Sequence, residues 1–396
     1  MRPDTSAAAP APSAVMSRIE RELRDMWSVA APAGDVPRAR ACTMNLVVVA
    51  SSEEIAERYV AIIDDVTRSI PARAIVVALD PEGPDTLEGD VTAVCGIDAA
   101  ASICSERVRM TARGAVCARV ASAVDALCVP ELPTVLVWLG RVHVDDDVFL
   151  ELARDSQRVL LDTEYTSLGS LLHLARWARG GERGGEGRPH VADLAWTRLA
   201  IWQEMCARFF DTPALREHAS HVTRVTLRQA CDPGARLGSE GALLLGWLGT
   251  RLGWKTTRVG GHLRFRRADG GNVAVSFEAV ARPPGVAPSA LAGVAFDAVH
   301  DGVTLRATLD RQLATGIPDD TLDADVLEWR LDVSTSADAS APATSRRGPM
   351  EQRVRLRTNQ GARLLERTLH RPANDPALAE AAAFAEEMVE DEVVCT

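Results

Sequence analysis

Met44-Asn45-Leu46-Val47-Val48-Val49-Ala50, followed at once by Ser51-Ser52-Glu53-Glu54, decides the fold. Seven residues without an outward-facing charge are not the alternating pattern of a half-exposed strand. They read as a strand buried on both faces, which is the situation of a central strand in a parallel sheet. Ser51 with Glu54 three positions on is a capping-box pattern and predicts that a helix starts there. Its apolar stripe is Ile55, Tyr59, Ile62, Ile63 and Val66, at three- and four-residue steps. Pro71 closes that segment, and Arg73–Leu79 (RAIVVAL) repeats the buried-strand pattern.

Working outward, strand-like runs follow at Asp90–Cys95 and Arg107–Thr111, then a helix at Val116–Leu127. Thr134–Leu139 is a further strand, Asp145–Arg154 a helix, and Arg158–Asp162 a strand. The alternation predicts an α/β domain over 41–180, with a mixed or parallel sheet flanked by helices. Residues 1–40 read as a disordered Ala/Pro-rich N-terminus with one short helix, Val15–Trp27. After the helix Leu168–Ala178 comes GGERGGEGRPH, so 181–192 is expected to be a Gly-rich linker. Residues 193–396 then read as a second, α+β domain. Its helices are Asp193–Asp211, with Asp193 as N-cap, and Ser239–Trp254, and antiparallel strands follow, punctuated by Gly-containing turns. A low-complexity stretch, 334–349, is expected to be a disordered loop. In Ser239–Trp254 the small residues Ala242, Gly246, Gly249 and Gly253 form one face, which predicts close approach of another backbone.

Composition narrows the function classes. The chain has 396 residues, 46% of them hydrophobic, and a formal charge of −11. That is ample apolar material for two cores. The acidic balance argues against a nucleic-acid or membrane-surface binder. No window approaches the roughly 18 apolar residues of a membrane span, and the N-terminus lacks the apolar core of a secretory signal, so a cytoplasmic protein is expected. Eight cysteines, none in a C-x-x-C pair, read as scattered thiols rather than a disulfide framework.

Motifs that carry chemistry are mostly missing. A phosphate cradle needs glycines between the first strand and its helix. Here that turn is Ala50-Ser51-Ser52-Glu53-Glu54, with acids where an anion would sit, so no nucleotide cofactor is expected. His218 and His221 lack the ligand spacing of a metal site and read as surface histidines, and Asp145-Asp146-Asp147 reads as a helix start favoured by the macrodipole. No G-x-S-x-G or H-E-x-x-H motif occurs, and no catalytic residue is assigned. The unusual feature is the helix Asp193–Asp211, whose stripe Ala195, Leu199, Trp202, Cys206 and Phe209 is flanked by Trp196. Arg198 lies one turn before Trp202, where a cation–π pair is expected. Trp and Arg are also interface anchors, so Trp196, Arg198 and Trp202 are the candidates for binding a partner. Cys395, penultimate in the chain, is the candidate redox-accessible thiol, whereas Cys117 and Cys206 on apolar stripes are expected to be buried.

Four segments in order, RAIVVA (Arg73–Ala78), ELPTVLVWLG (Glu131–Gly140), DLAWTRLAIWQE (Asp193–Glu204) and ALLLGWLGTRLGW (Ala242–Trp254), carry a family resemblance together with MNLVVV. They resemble the OpcA-type glucose-6-phosphate dehydrogenase assembly proteins. The resemblance implies a cytosolic, non-catalytic partner that promotes assembly and allosteric activation of glucose-6-phosphate dehydrogenase in the oxidative pentose phosphate pathway. It also implies that cysteine redox state modulates the effect in some members. The family's Thr-Pro-Trp is replaced here by Ala200-Ile201-Trp202, which predicts a straighter helix. The alternative reading is an α/β enzyme acting on a sugar phosphate or similar small metabolite.

Overall fold

The computed structural model describes residues 11–28, 38–97, 102–142, 146–163, 165–179, 189–259, 262–282, 289–312, 324–335, 350–357, 361–372 and 374–390. The Gly-rich residues 180–188, most of the low-complexity stretch and Cys395 lie outside them. The chain packs as two compact units. The first comprises residues 1–194 and 361–374, and the second 195–360 and 375–396. The expected second domain therefore gives up a C-terminal segment to the first.

The first unit is built on strands β1 (Arg38–Arg40), β2 (Asn45–Ala50), β3 (Arg73–Asp80), β4 (Thr86–Ile97), β5 (Ser102–Arg113), β6 (Thr134–Leu139), β7 (Arg158–Leu161) and β8 (His190–Asp193). They form one sheet in the order β1-β5-β3-β2-β6-β7-β8, with β4 added antiparallel to β5 and the other pairings parallel. The helices are α1 (Pro12–Asp25), α2 (Glu53–Ser69), α3 (Val120–Leu127), α4 (Asp147–Arg154) and α5 (Leu168–Arg179). All six residues of β2 are buried, as a doubly covered central strand requires. Its core partners include Ile63 and Val66 of α2, Val76 of β3 and Leu139 of β6. Leu364 and Leu365 of α8 (Gly361–His370), from the returning segment, join the same core. Arg158 fixes that return by donating to the carbonyl of Arg371 at 3.0 Å.

Three expectations change here. Helix α2 is capped by Ser52, whose Oγ accepts from Ile55 N at 3.3 Å, because Ser51 N still donates to Leu139 O at 3.1 Å and extends the strand ladder by one residue. Residues His190–Asp193, read partly as linker, are an edge strand parallel to β7. The thiol reading fails at Cys95 and Cys104, which face each other across the β4–β5 hairpin and form a disulfide.

The second unit holds a mixed sheet of β9 (Val222–Ala230), β10 (Lys255–Val259), β11 (His262–Arg266), β12 (Asn272–Val280), β13 (Leu291–His300), β14 (Val303–Gln312), β15 (Ala324–Thr335) and β16 (Met350–Arg357). Their order is β10-β11-β12-β9-β13-β14-β15-β16, and β12 with β9 is the parallel pair. Helices α6 (Leu194–Arg208), α7 (Ser239–Arg251) and α9 (Pro376–Glu390) belong to this unit apart from Leu194. Val225, Leu227, Val294, Phe296, Leu305 and Leu309 make the buried face of the sheet.

Candidate partner-binding site

In an open α/β sheet, a ligand crevice forms where the strand order reverses, beyond the carboxyl ends of the strands. In the first unit that point lies between β2 and β6. The chain fills it. Gly140, just after β6, lies so close to Ser51 that a Cβ there would sit 2.7 Å from the Ser51 Cβ. Glu53 and Glu57, on the first turns of α2, are engaged by arginines of β5: Arg109 pairs with both, and Arg113 reaches Glu53 at 3.3 Å and Glu88 at 3.0 Å. The helix N-terminus thus carries its own carboxylates where a phosphate-binding fold presents bare amides.

Helix α6 runs unbroken through Ala200-Ile201. The structure places all three partner-binding candidates inside the second unit, but as packing groups. Trp196 is 3% exposed and Trp202 2% exposed. The Trp196 indole donates to Asp375 Oδ2 at 2.8 Å. Arg198 is held by Glu240 of α7 at 2.9 Å, and the other oxygen of Glu240 accepts from Leu291 N at 2.9 Å. The guanidinium of Arg311, on β14, lies over the Trp202 ring at 5.7 Å. Trp196 and Trp202 are thus buried in the second unit, the packing role that their helical spacing also allows. Just beyond the end of α6, Phe209 stacks on Trp329 of β15 with centroids 4.9 Å apart.

Asp193, expected as N-cap, does stand immediately before α6, and its carboxylate accepts from Thr163 N and Oγ1 at 3.1 and 3.0 Å. His218 is buried rather than at the surface, and its ring meets that of His300, as does that of His221, at 5.6 and 4.3 Å. Among the described residues, no group of three or more His, Cys, Asp or Glu side chains is placed to hold a metal ion. Nor is any helix among them long and apolar enough to cross a membrane. Cys117 and Cys206 are buried, as their stripes predict, and burial pushes the Cys206 thiol far above its ordinary value. Burial foremost, with Asp125 beside it, raises Cys128 to about 11. The redox candidate Cys395 lies outside the described residues.

Two family descriptions match the chain in order, both written for a glucose-6-phosphate dehydrogenase subunit. Its N-terminal domain matches residues 63–176, and its C-terminal domain matches 189–382. The chain belongs to the OpcA-type glucose-6-phosphate dehydrogenase assembly family. An OxPP cycle protein OpcA of Nostoc punctiforme is 30% identical over 201 residues, which is 49% of this chain and 40% of that protein. Its counterpart in Synechococcus elongatus is 27% identical over 188 residues, 47% of this chain and 40% of the relative. The match thus spans well under two thirds of these OpcA relatives. Among solved structures, an oxidoreductase from Sinorhizobium meliloti is 12% identical at a TM-score of 0.42, covering 89% of this chain and 98% of that one.

Proposed function

We propose that this OpcA-family chain is a non-catalytic partner of glucose-6-phosphate dehydrogenase that promotes its assembly and activates it allosterically in the cytoplasm. The observation that carries the reading is the match of both dehydrogenase-associated domains, in order, along one chain. The first unit supports it. At its switch point Gly140 lies close against Ser51, and its first helix turn carries glutamates paired with arginines. Binding energy in such a protein is realised on a partner's surface, and the activation follows from preferring the partner's active, assembled state. Trp196, Arg198 and Trp202 serve this function indirectly, by holding α6, α7 and the sheet in one arrangement.

The test is addition of the purified chain to its cognate dehydrogenase. Saturable stimulation together with a larger sedimenting species supports the proposal. An isolated chain that reduces NADP with glucose 6-phosphate, or that binds NADP in the micromolar range by calorimetry, contradicts its non-catalytic part.

A further inference from the structure

Three histidine rings meet at one end of the second sheet. His218 and His221 lie in the short 3-10 helix Arg216–His221 that leads into β9. His300 ends β13, just before the tight turn Asp301-Gly302 into β14, where φ is +47° and +73°. The rings of His218 and His300 meet edge-on with centroids 5.6 Å apart, and His221 is tilted over His300 at 4.3 Å. The hydrogen bonds within the 3-10 segment are local: Leu215 N donates to Thr212 O, His218 N to Leu215 O and Ser220 Oγ to Glu217 O. Among the described residues, the hydrogen bond that ties residues 212–221 to the β13–β14 hairpin is the one between His218 Nε2 and Val303 O, at 3.3 Å.

That bond fixes the chemistry of the ring. A carbonyl oxygen accepts, so neutral His218 carries its hydrogen on Nε2 and Nδ1 is the bare, basic nitrogen. His218 is 2% exposed, and its Nδ1 is buried with no hydrogen-bond partner. A proton added there makes a charged donor with nothing to receive it, which burial penalises. The two neighbouring rings are better provided. His300 Nε2 lies 3.4 Å from the Asp301 carboxylate, and His221 Nδ1 lies 2.8 Å from Glu217 O. Arg267 foremost, then the Gly271 amide and lastly charge on His221, hold the Asp269 carboxyl well below its ordinary range, so Asp269 is within electrostatic reach of His221. The Arg267 guanidinium also donates to Val222 O at 3.3 Å, which sets a fixed cation at the end of the 3-10 segment. Arg216 and Glu217 belong to that segment. Arg224 of β9 and Arg306 of β14 are both paired with Asp297 of β13, and β15 brings Ser334 and Thr335 to this end of the sheet.

We propose that His218 is a proton-operated latch: neutral, it holds residues 212–221 against the β13–β14 hairpin, and protonated, it leaves its buried seat and releases them. The closed segment has no place for the second proton, whereas the opened one presents an ordinary imidazole to water. Opening therefore takes up a proton and is favoured as pH falls. With the opened imidazole titrating near its usual ~6.5, the opening equilibrium rises about tenfold between about pH 7.5 and about pH 5.5. Charge on His221 and His300 adds repulsion in the same direction, reduced by Asp269 and Asp301.

Hydrogen–deuterium exchange of the full chain at these two pH values, corrected for intrinsic exchange rates, tests this. Peptides covering 212–221 should lose about tenfold in protection at the lower pH, while peptides of β2 and β6 keep theirs. His218→Gln offers Val303 an amide donor without a titratable nitrogen, so its protection should be the same at both values. Nitrogen NMR of the wild-type imidazoles needs no variant: the His218 ring should be neutral while the segment is protected and charged where protection is lost. The proposal is overturned by wild-type protection that does not change with pH, by a His218→Gln chain that opens in acid as the wild type does, or by a His218 ring that takes up its proton while the segment stays closed. If His218→Gln is open at both values, the wild-type ring spectra decide between these outcomes.

Discussion

At the scale of single residues, the first unit turns on Glu106, a fully buried carboxylate on β5. Arg73 reaches it at 2.6 Å, Arg40 at 2.7 Å, and the Trp27 indole donates to it. Removing one partner from a buried ion cluster leaves uncompensated charge and costs about 3–5 kcal/mol. Glu106→Gln is therefore expected to lower the urea midpoint clearly, with little change in slope. In the second unit, Trp196→Ala and Trp202→Ala each leave a cavity and should cost about 3–5 kcal/mol, read as a lower melting temperature of the isolated chain. An unchanged melting temperature with weaker dehydrogenase stimulation would restore them as contact residues. Thiol reactivity should follow burial and thiolate content. Near pH 8, Cys128, with its thiol at about 11, holds only about one part in a thousand as thiolate. Cys206 is expected to label last of all in native alkylation, and early labelling of Cys206 would contradict its burial. None of the pairings around Glu106 was legible beforehand. They join residues tens of positions apart, brought together by the register of β1, β3 and β5 and by the segment just past α1 that carries Trp27.

At the scale of elements, the clearest case is α7 against α9. A Cβ at Gly246 would run into the carbonyl oxygen of Ala381, and one at Gly249 into the Phe384 ring. The small-residue spacing in the sequence pointed to such an approach. It overreached at Gly253, where a φ of +65° with open space around it marks a helix end rather than a contact. Gly246→Ala gains about 1 kcal/mol of helix propensity, yet the clash with backbone should outweigh it by about 1–3 kcal/mol. Thermal unfolding is expected to show a net loss, and a stabilised variant would mean that the helices do not pack this closely. The long buried strands β2, β3 and β6 were readable because an uninterrupted apolar run has one comfortable environment. The four-residue strand β8, beside the Gly-rich stretch, was not, because its pairing with β7 is made by backbone groups that carry no side-chain signature. The Cys95–Cys104 disulfide was hidden for the same reason: nine residues of separation say nothing until the hairpin register is known.

At the scale of the whole molecule, the chain crosses from its first unit to its second after Leu194, returns for residues 361–374, and leaves again. Cutting the gene at the Gly-rich stretch would remove Leu364 and Leu365 from the core of the first unit, so a fragment ending there is expected to unfold at a lower temperature than one supplied with that segment. The α/β class and the family were legible from a few segments, whereas the crossing was not, because nothing local in Gly361–His370 tells which core it enters. The central claim is that this chain acts through glucose-6-phosphate dehydrogenase rather than by its own chemistry. Titrating the full chain into its purified cognate dehydrogenase, while following initial rate and sedimentation in parallel, tests it most directly. A saturable rise in rate, accompanied by a complex containing both proteins, is the expected result. No change in rate and no complex, under reducing and oxidising conditions alike, would contradict it.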